Sequence, residues 1–273
     1  MARLRYLAFL SRDAAALGKF YSDYFGMTEI RRNNAGDVSL TDGFFRFGIF
    51  QARPDLVELR REIGAHHVGV EVESIDETLR LYREFNPRGV VRDEPGDGGD
   101  GDVRIHDPEN NPVVLSERAF GLGPDETRMP RMRHVALGPL CPETTFNFYA
   151  EVFGFRELPT SYKRRTMGKQ NRFMGDGKSN LAMHPFYNGT VGFEGRYGIN
   201  HFGFLVDDLQ GIVARLSQVV PTAERPLRPY EDYRVRDPEG NGIDLSFSLG
   251  FEIDVDQWDM VDKAKVETSD ARD

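Results

Sequence analysis

The stretch RMRHVALGP at residues 131–139 decides how this chain is read, because RLRYLAFLS at residues 3–11 is its earlier copy. A shift of 128 positions aligns residues 3–27 with 131–155 without a gap. Arg3, Arg5, Ala8, Phe20, Tyr21, Phe25 and Gly26 then match Arg131, Arg133, Ala136, Phe148, Tyr149, Phe153 and Gly154. Two further blocks recur in the same order. HHVGVEVESIDETLRLY at 66–82 resembles NHFGFLVDDLQGIVARL at 200–216, and VRIHDPENNPVVLSE at 103–117 resembles YRVRDPEGNGIDLSF at 233–247. Three blocks repeated in one order indicate a duplicated chain of four modules arranged A-B-A′-B′.

Each module opens with an alternating strand and continues into an amphipathic helix. In HVALG, Val135 and Leu137 face one side while His134, Ala136 and Gly138 face the other. Phe146, Tyr149, Ala150 and Phe153 then fall on one helical stripe, as do Leu209, Ile212, Val213 and Leu216 in the fourth module. Ser74 and Glu77 have the spacing of a capping box, ahead of Leu79 and Tyr82 on the buried side. Asp42-Gly43 and Asp176-Gly177 are hairpin pairs, and DPENN and DPEGN place Asn or Gly where tight turns need them. Each module therefore reads as βαβββ. The expected boundaries are a first domain at 1–120, a Gly/Pro-rich linker at 121–130, a second domain at 131–250 and an extension at 251–273. That extension contains the sole tryptophan, Trp258.

Composition narrows the function. A net charge of −9 with no basic stripe argues against nucleic-acid binding. Arg31-Arg32 and Lys163-Arg164-Arg165 are too short for that task. No run approaches the roughly 20 apolar residues that span a bilayer. The opening MARLRYLAFL has the look of a short signal peptide, but its pattern recurs at 131–137, so it reads as structural repeat. A single cysteine, Cys141, allows no intrachain disulfide and fits a reducing compartment, and a cytoplasmic protein is expected. It also excludes thiolate metal sites, leaving His, Asp and Glu as ligands.

Three polar residues of the second half sit on the strand face opposite the packing side. His134 and His201 each have a small residue two positions on, Ala136 and Gly203, and Asp244 alternates with Ile243 and Leu245. Two imidazoles and one carboxylate with open positions are the ligand set of non-heme Fe(II) enzymes, and also suit Mn or Zn. The competing reading of each histidine is an isolated packed or hydrogen-bonded side chain.

The four-module pattern, with HVALG…FYAEVFGF, NHFGFLVDDL and RDPEGNGIDL, resembles the vicinal oxygen chelate superfamily, which includes glyoxalase I, bleomycin and fosfomycin resistance proteins and extradiol ring-cleavage dioxygenases. The resemblance implies an α+β fold of four βαβββ modules, forming two tandem vicinal-oxygen-chelate domains with cup-shaped mixed sheets. It implies metal ligands on cup-lining strands, matching His134, His201 and Asp244, with Fe(II) favoured as the divalent metal. The counterparts in the first half are Tyr6, His67 and Val114, which cannot hold a cation; His67 then reads as a leftover cup-lining residue. A metal-free first half beside a metal-bearing second half is similar to the two-domain extradiol dioxygenases.

The chain departs from that pattern in three places. The usual Glu ligand is Asp244. The position of an outer histidine is held by Ser179. The inward tyrosine before the DP turn is replaced by Arg234, with Tyr233 adjoining. His184 is the candidate proton carrier in place of the missing histidine; its other reading is a rim histidine bonded to backbone. Arg234, if inward, suits a carboxylate or phenolate substrate, the other reading being an exposed arginine like Arg236. The fourth ligand of a glyoxalase-type site falls on Ala182. Phe186, Tyr187 and Tyr230 are candidates for an aromatic wall. His66 and His106 are expected to face solvent. The resulting expectation is a metal-dependent enzyme acting on a small catechol-like substrate, with His184, Arg234 and Tyr233 as catalytic candidates. The alternatives are a glyoxalase-type lyase or isomerase, or a non-catalytic small-molecule binder. The partner set is a small-molecule substrate, no nucleic acid and no membrane, with a homo-oligomer left open.

Overall fold

The computed structural model describes residues 2–53, 63–93, 101–123, 128–157, 172–185, 198–224 and 233–246. The first module is β1 (Arg3–Ser11), α1 (Ala14–Phe25), β2 (Thr28–Arg32), β3 (Val38–Thr41) and β4 (Arg46–Gln51). The second is β5 (Gly64–Glu71), α2 (Ile75–Phe85), β6 (Arg92–Asp93), β7 (Val103–His106) and β8 (Pro112–Ser116). The third contains β9 (Arg131–Gly138), α3 (Pro142–Phe153), β10 (Arg156–Glu157), β11 (Arg172–Gly175) and β12 (Asn180–Met183). The fourth contains β13 (Gly198–Leu205), α4 (Leu209–Leu216), β14 (Thr222–Glu224), β15 (Tyr233–Arg236) and β16 (Gly242–Ser246). Every module is βαβββ. The extension at 251–273, with Trp258, and the aromatic candidates Phe186, Tyr187 and Tyr230 lie outside the described residues.

The modules pair into two eight-stranded sheets of identical order, β2-β3-β4-β1-β5-β8-β7-β6 and β10-β11-β12-β9-β13-β16-β15-β14. In each, the two opening strands run antiparallel at the centre, and each is flanked by the last strand of its own module in parallel. The layout is α+β, with two tandem mixed sheets.

Alternation along the strands sorts side chains onto two faces. Leu4, Leu7, Phe9, Val135, Leu137, Phe202 and Phe204 join residues from all four helices in one contiguous core. That core crosses between the halves. Phe25 lies 4.3 Å from Phe204 and Phe9 lies 5.4 Å from Phe202, ring centre to ring centre. Burying each such ring contributes about 1.5–3 kcal/mol. None of the four α-helices contributes to the opposite faces, which form the cups; in the first sheet a single 3-10 turn, Ala119–Gly121, lies there and places Phe120 on Tyr6.

The predicted stripes are buried: Phe146, Tyr149, Phe153, Ile212, Leu216 and Tyr82 face the core, with Ala150, Leu79, Leu209 and Val213 packed at its edge. The capping box is only half formed. Ser74 Oγ accepts from the Glu77 N–H, but the Glu77 carboxylate turns to Arg80 instead of back to the cap.

The duplicated turns lock the halves together in matching pairs. The Leu4 N–H donates to Asp176 Oδ2 at 2.6 Å, and the Met132 N–H donates to Asp42 Oδ2 at 2.7 Å. Tyr21 Oη donates to Asp237 Oδ2 at 2.7 Å, and Tyr149 Oη to Asp107 Oδ2 at 3.4 Å. Inside the turns Asp107 and Asp237 accept from the backbone N–H of Asn111 and Asn241, while Asn110 and Gly240 take the left-handed conformation with φ of 63° and 90°. Glu109 accepts from the Cys141 N–H, so the second half's α3, whose cap side chain makes no hydrogen bond, is capped by the first half. Glu239 does the same for Arg12 at the start of α1. No helix among the described residues is long and apolar enough to cross a membrane.

Candidate metal centre

The central strands of the second sheet bring the predicted residues into one row. Strand register places Asn180 beside His134, His134 opposite Gly203, Gly203 beside Asp244, and Asp244 opposite Arg234. Gly203 leaves the middle of the row without a side chain, and the His201 ring occupies that region. His134 Nε2 and His201 Nε2 are 3.1 Å apart, and His201 Nε2 is 3.3 Å from Asp244 Oδ2. Donors bound at about 2.1 Å to one ion lie about 3.0 Å apart in an octahedral set and about 3.4 Å in a tetrahedral one. Each of these two distances, taken singly, is that of neighbouring ligands on one divalent cation, and the donor types suit Fe, Mn or Zn.

His184 joins the same cluster. It follows β12, its N–H donating to the Leu137 carbonyl at 2.9 Å, and its ring centre lies 5.3 Å from that of His201. Ring nitrogens of His134, His184 and His201 all fall within 4.8 Å of one another, so this histidine triad could hold a divalent metal. Ala182, the position of a glyoxalase-type fourth ligand, is buried beside Ala136 and offers no donor.

Burial, helped by the charge of His201, pushes the His134 imidazole down to about 3, and burial likewise holds His184 well below the usual histidine range. Both rings are therefore neutral at pH 7 and have a lone pair to offer. Burial works against ionisation of Asp244, but His201 and Arg234 outweigh it and hold the carboxyl well below its ordinary value.

Arg234 does face into the cup, at 5% exposure. Its carboxylate partner is Asp244: Nε donates to Oδ1 at 2.6 Å and Nη2 to Oδ2 at 2.9 Å. This fork fixes the plane of the carboxylate. Tyr233 alternates with Arg234 and pairs across from Leu245, so it packs on the core side and is not brought to the cluster. Two residues that the sequence reading passed over touch the site. Asn180 Oδ1 lies 3.0 Å from His134 Nδ1, and Asn200 Oδ1 lies 3.0 Å from His201 Nδ1. The one signal for Asn200 was its place next to His201; Asn180 is recognisable only through strand register.

The same row in the first sheet carries different chemistry. Arg46, Tyr6, Gly69, Val114 and Arg104 replace Asn180, His134, Gly203, Asp244 and Arg234. Tyr6 stacks on Phe120 at 5.1 Å, and the two belong to a separate apolar cluster with Ala8 and Val114. A Cβ on Gly69 would meet Phe120 Cζ at 2.6 Å, so this cup is filled by its own side chains. His67 is buried between the rings of Tyr6 and Phe50. His66, expected to point outward, instead turns to His67, Nδ1 to Nδ1 at 2.9 Å, and His106 is only half exposed.

Two helix-backed mixed sheets, each built from a pair of βαβββ units and with a histidine-lined cup in the second, define a tandem cup-sheet protein. The sequence signature described as Glyoxalase/Bleomycin resistance protein/Dioxygenase superfamily matches residues 3–115 and again 131–245, and the chain belongs to that superfamily. No curated protein matches it in sequence. Among solved structures it is similar to the Mn(II)-bound glyoxalase from Novosphingobium aromaticivorans, with a TM-score of 0.71 and 17% identity over 94% of this chain and 86% of that one. It is also similar to BphC, a halotolerant catechol dioxygenase, with a TM-score of 0.70 and 16% identity over 94% and 89%. The 2,3-dioxygenase LapB from Pseudomonas sp. KL28 gives a TM-score of 0.63 and 15% identity over 89% and 91%. At these identities the likeness concerns the fold.

Proposed function

We propose that the protein is a cytoplasmic, divalent-metal-dependent enzyme whose second cup takes a small substrate through two adjacent oxygens. Ring-cleaving oxygenase chemistry on a catechol-like ring is the favoured reaction. The observation that carries this reading is the buried histidine cluster, in which His134 Nε2 lies 3.1 Å from His201 Nε2 and Asp244 Oδ2 lies 3.3 Å from that same nitrogen. In this reading those three hold the metal, which as Fe(II) supplies Lewis acidity and the electrons for oxygen chemistry. His184, whose ring lies beside the pair, is the residue placed to take up a proton from a substrate hydroxyl. Arg234 keeps Asp244 ionised and oriented, a role in place of the substrate-carboxylate contact expected from sequence. The donorless Ala182 favours this reading over a glyoxalase-type isomerisation.

The Arg234–Asp244 fork also favours a second reading. A guanidinium already offsets the carboxylate's charge, as it would in a metal-free cup that only binds a small aromatic molecule. Metal analysis after anaerobic loading with Fe(II), Mn(II) or Zn(II) separates the two. One equivalent of metal, with oxygen uptake on a panel of catechols for the Fe(II) form, supports the enzyme. No stoichiometric metal with any of the three ions would leave the binder. The ligand set is tested by Asp244→Asn, expected to lose metal, and His184→Ala, expected to keep metal but lose at least 100-fold in turnover. The reverse pattern would assign the ion to the three histidines.

A further inference from the structure

Both imidazoles of the close pair are held from behind by an amide. Asn180, at the register position beside His134, points its Oδ1 at His134 Nδ1, and Asn200 points its Oδ1 at His201 Nδ1, each at 3.0 Å. An amide oxygen only accepts, so each Nδ1 must carry the hydrogen. With Nδ1 so engaged, Nε2 is the nitrogen each ring has left for other partners, and for His201 these include Asp244 Oδ2 at 3.3 Å. The two Nε2 atoms are those that face each other at 3.1 Å.

The position of Asn200 has a backbone cause. The pairing of β13 with β9 slips between Ile199 and His201, so Asn200 is the extra residue of a β-bulge. A bulge re-aims its side chain, which lets neighbours that would point to opposite faces meet. The first half has the same device. The pairing of β5 with β1 slips between Ala65 and His67, making His66 the bulge residue, and His66 contacts His67 Nδ1 at 2.9 Å. Only the second half places an amide there and a second imidazole across from it.

We infer that Asn180 and Asn200 are positioning residues that hold the hydrogen of His134 and His201 on Nδ1, so that Nε2 is the nitrogen each ring turns toward the other and offers to a ligand. This rests on the metal reading for its purpose, whereas the tautomer readout of its test does not. Partners of this kind behind a ligand ring govern metal affinity by about 10–100-fold. Long-range ¹H–¹⁵N spectra of the metal-stripped protein at neutral pH report the tautomers directly. The parent should show Nδ1–H for both rings. Asn180→Leu and Asn200→Leu should each lose that state for their own ring, and should weaken Mn(II) binding 10–100-fold in an EPR titration. Asn180→Asp and Asn200→Asp keep an acceptor in nearly the same volume and should retain both properties, which separates the effect from misfolding. Nε2–H tautomers in the parent, or Leu variants that keep both the tautomer and the Mn(II) affinity, would overturn the inference. Nδ1–H tautomers in a parent that binds none of Mn(II), Fe(II) or Zn(II) would support it while removing the metal reading.

Discussion

His134 and Tyr6 hold the same place in two copies of one strand, and their difference sets the character of each cup. The imidazole presents Nε2 to His201, whereas the phenol lies flat on Phe120 and its hydroxyl reaches over Gly48, where no side chain would fit. His134→Ala should abolish metal retention and His67→Ala should leave it intact, as read by metal analysis of the loaded proteins. Equal metal in both variants would move the site elsewhere. Phe120→Ala should cost about 3–5 kcal/mol in urea unfolding, because a fully buried ring that fills the first cup would leave a cavity. It should leave metal content unchanged, since the plug belongs to the other sheet. His134, His201 and Asp244 were legible as cup-facing residues from alternation, whereas Arg234 was singled out only through the family resemblance, with an exposed arginine as its other reading. The pairing of Arg234 with Asp244 was not, because sequence shows which face a side chain takes and not which neighbour it meets across the ladder.

At the scale of elements, duplication makes each turn a control for its twin. Asn110 and Gly240 occupy the same left-handed position in the DPENN and DPEGN turns. Asn110→Gly should therefore be neutral to within about 0.5 kcal/mol, while Asn110→Val should cost about 1–2 kcal/mol or more from Cβ crowding. Chemical denaturation of the two variants checks this, and equal stabilities would show that the turn relaxes freely. The helices, strand alternation and βαβββ order were all readable from periodicity and turn chemistry. The bulges at His66 and Asn200 were not: a single unpaired residue leaves no mark on a pattern of period two, and the expectation that His66 faces out failed for that reason.

The whole molecule is held by polar latches that repeat about its internal symmetry. Asp107, in the first half, is buried against Tyr149 of the second, and burial pushes its carboxyl up to about 6 from 3.8. A folded-state value above the unfolded one means the native protein binds the extra proton between those pH values, so stability falls as pH rises through that window. The difference of about two units corresponds to roughly 3 kcal/mol. Asp107→Asn should therefore gain stability relative to the parent as pH is raised from 4 to 6, measured by denaturation at each pH. A pH-independent difference would show that Asp107 titrates alike in both states. Tyr21→Phe, which removes the 2.7 Å donor to buried Asp237, should cost about 1.5–3 kcal/mol and lower a single cooperative transition shared by both halves. A first half that unfolds separately in this variant would show that the latch, more than the shared core, couples the domains.

By itself the sequence determined the duplication, the α+β module, the cup-facing residues and the asymmetry between a histidine-bearing half and its phenol-bearing copy. These follow from periodicity, which is written along the chain, and from side-chain identity. Tertiary structure alone decided what spans strands and halves. It brought His184 to the histidine pair, turned Arg234 onto Asp244, moved Tyr233 to the core side, set Asn180 and Asn200 behind the imidazoles, and made the DPE turns into interdomain latches. Register, bulges and domain docking are set by packing between distant segments, and such packing leaves no periodic trace in any one of them.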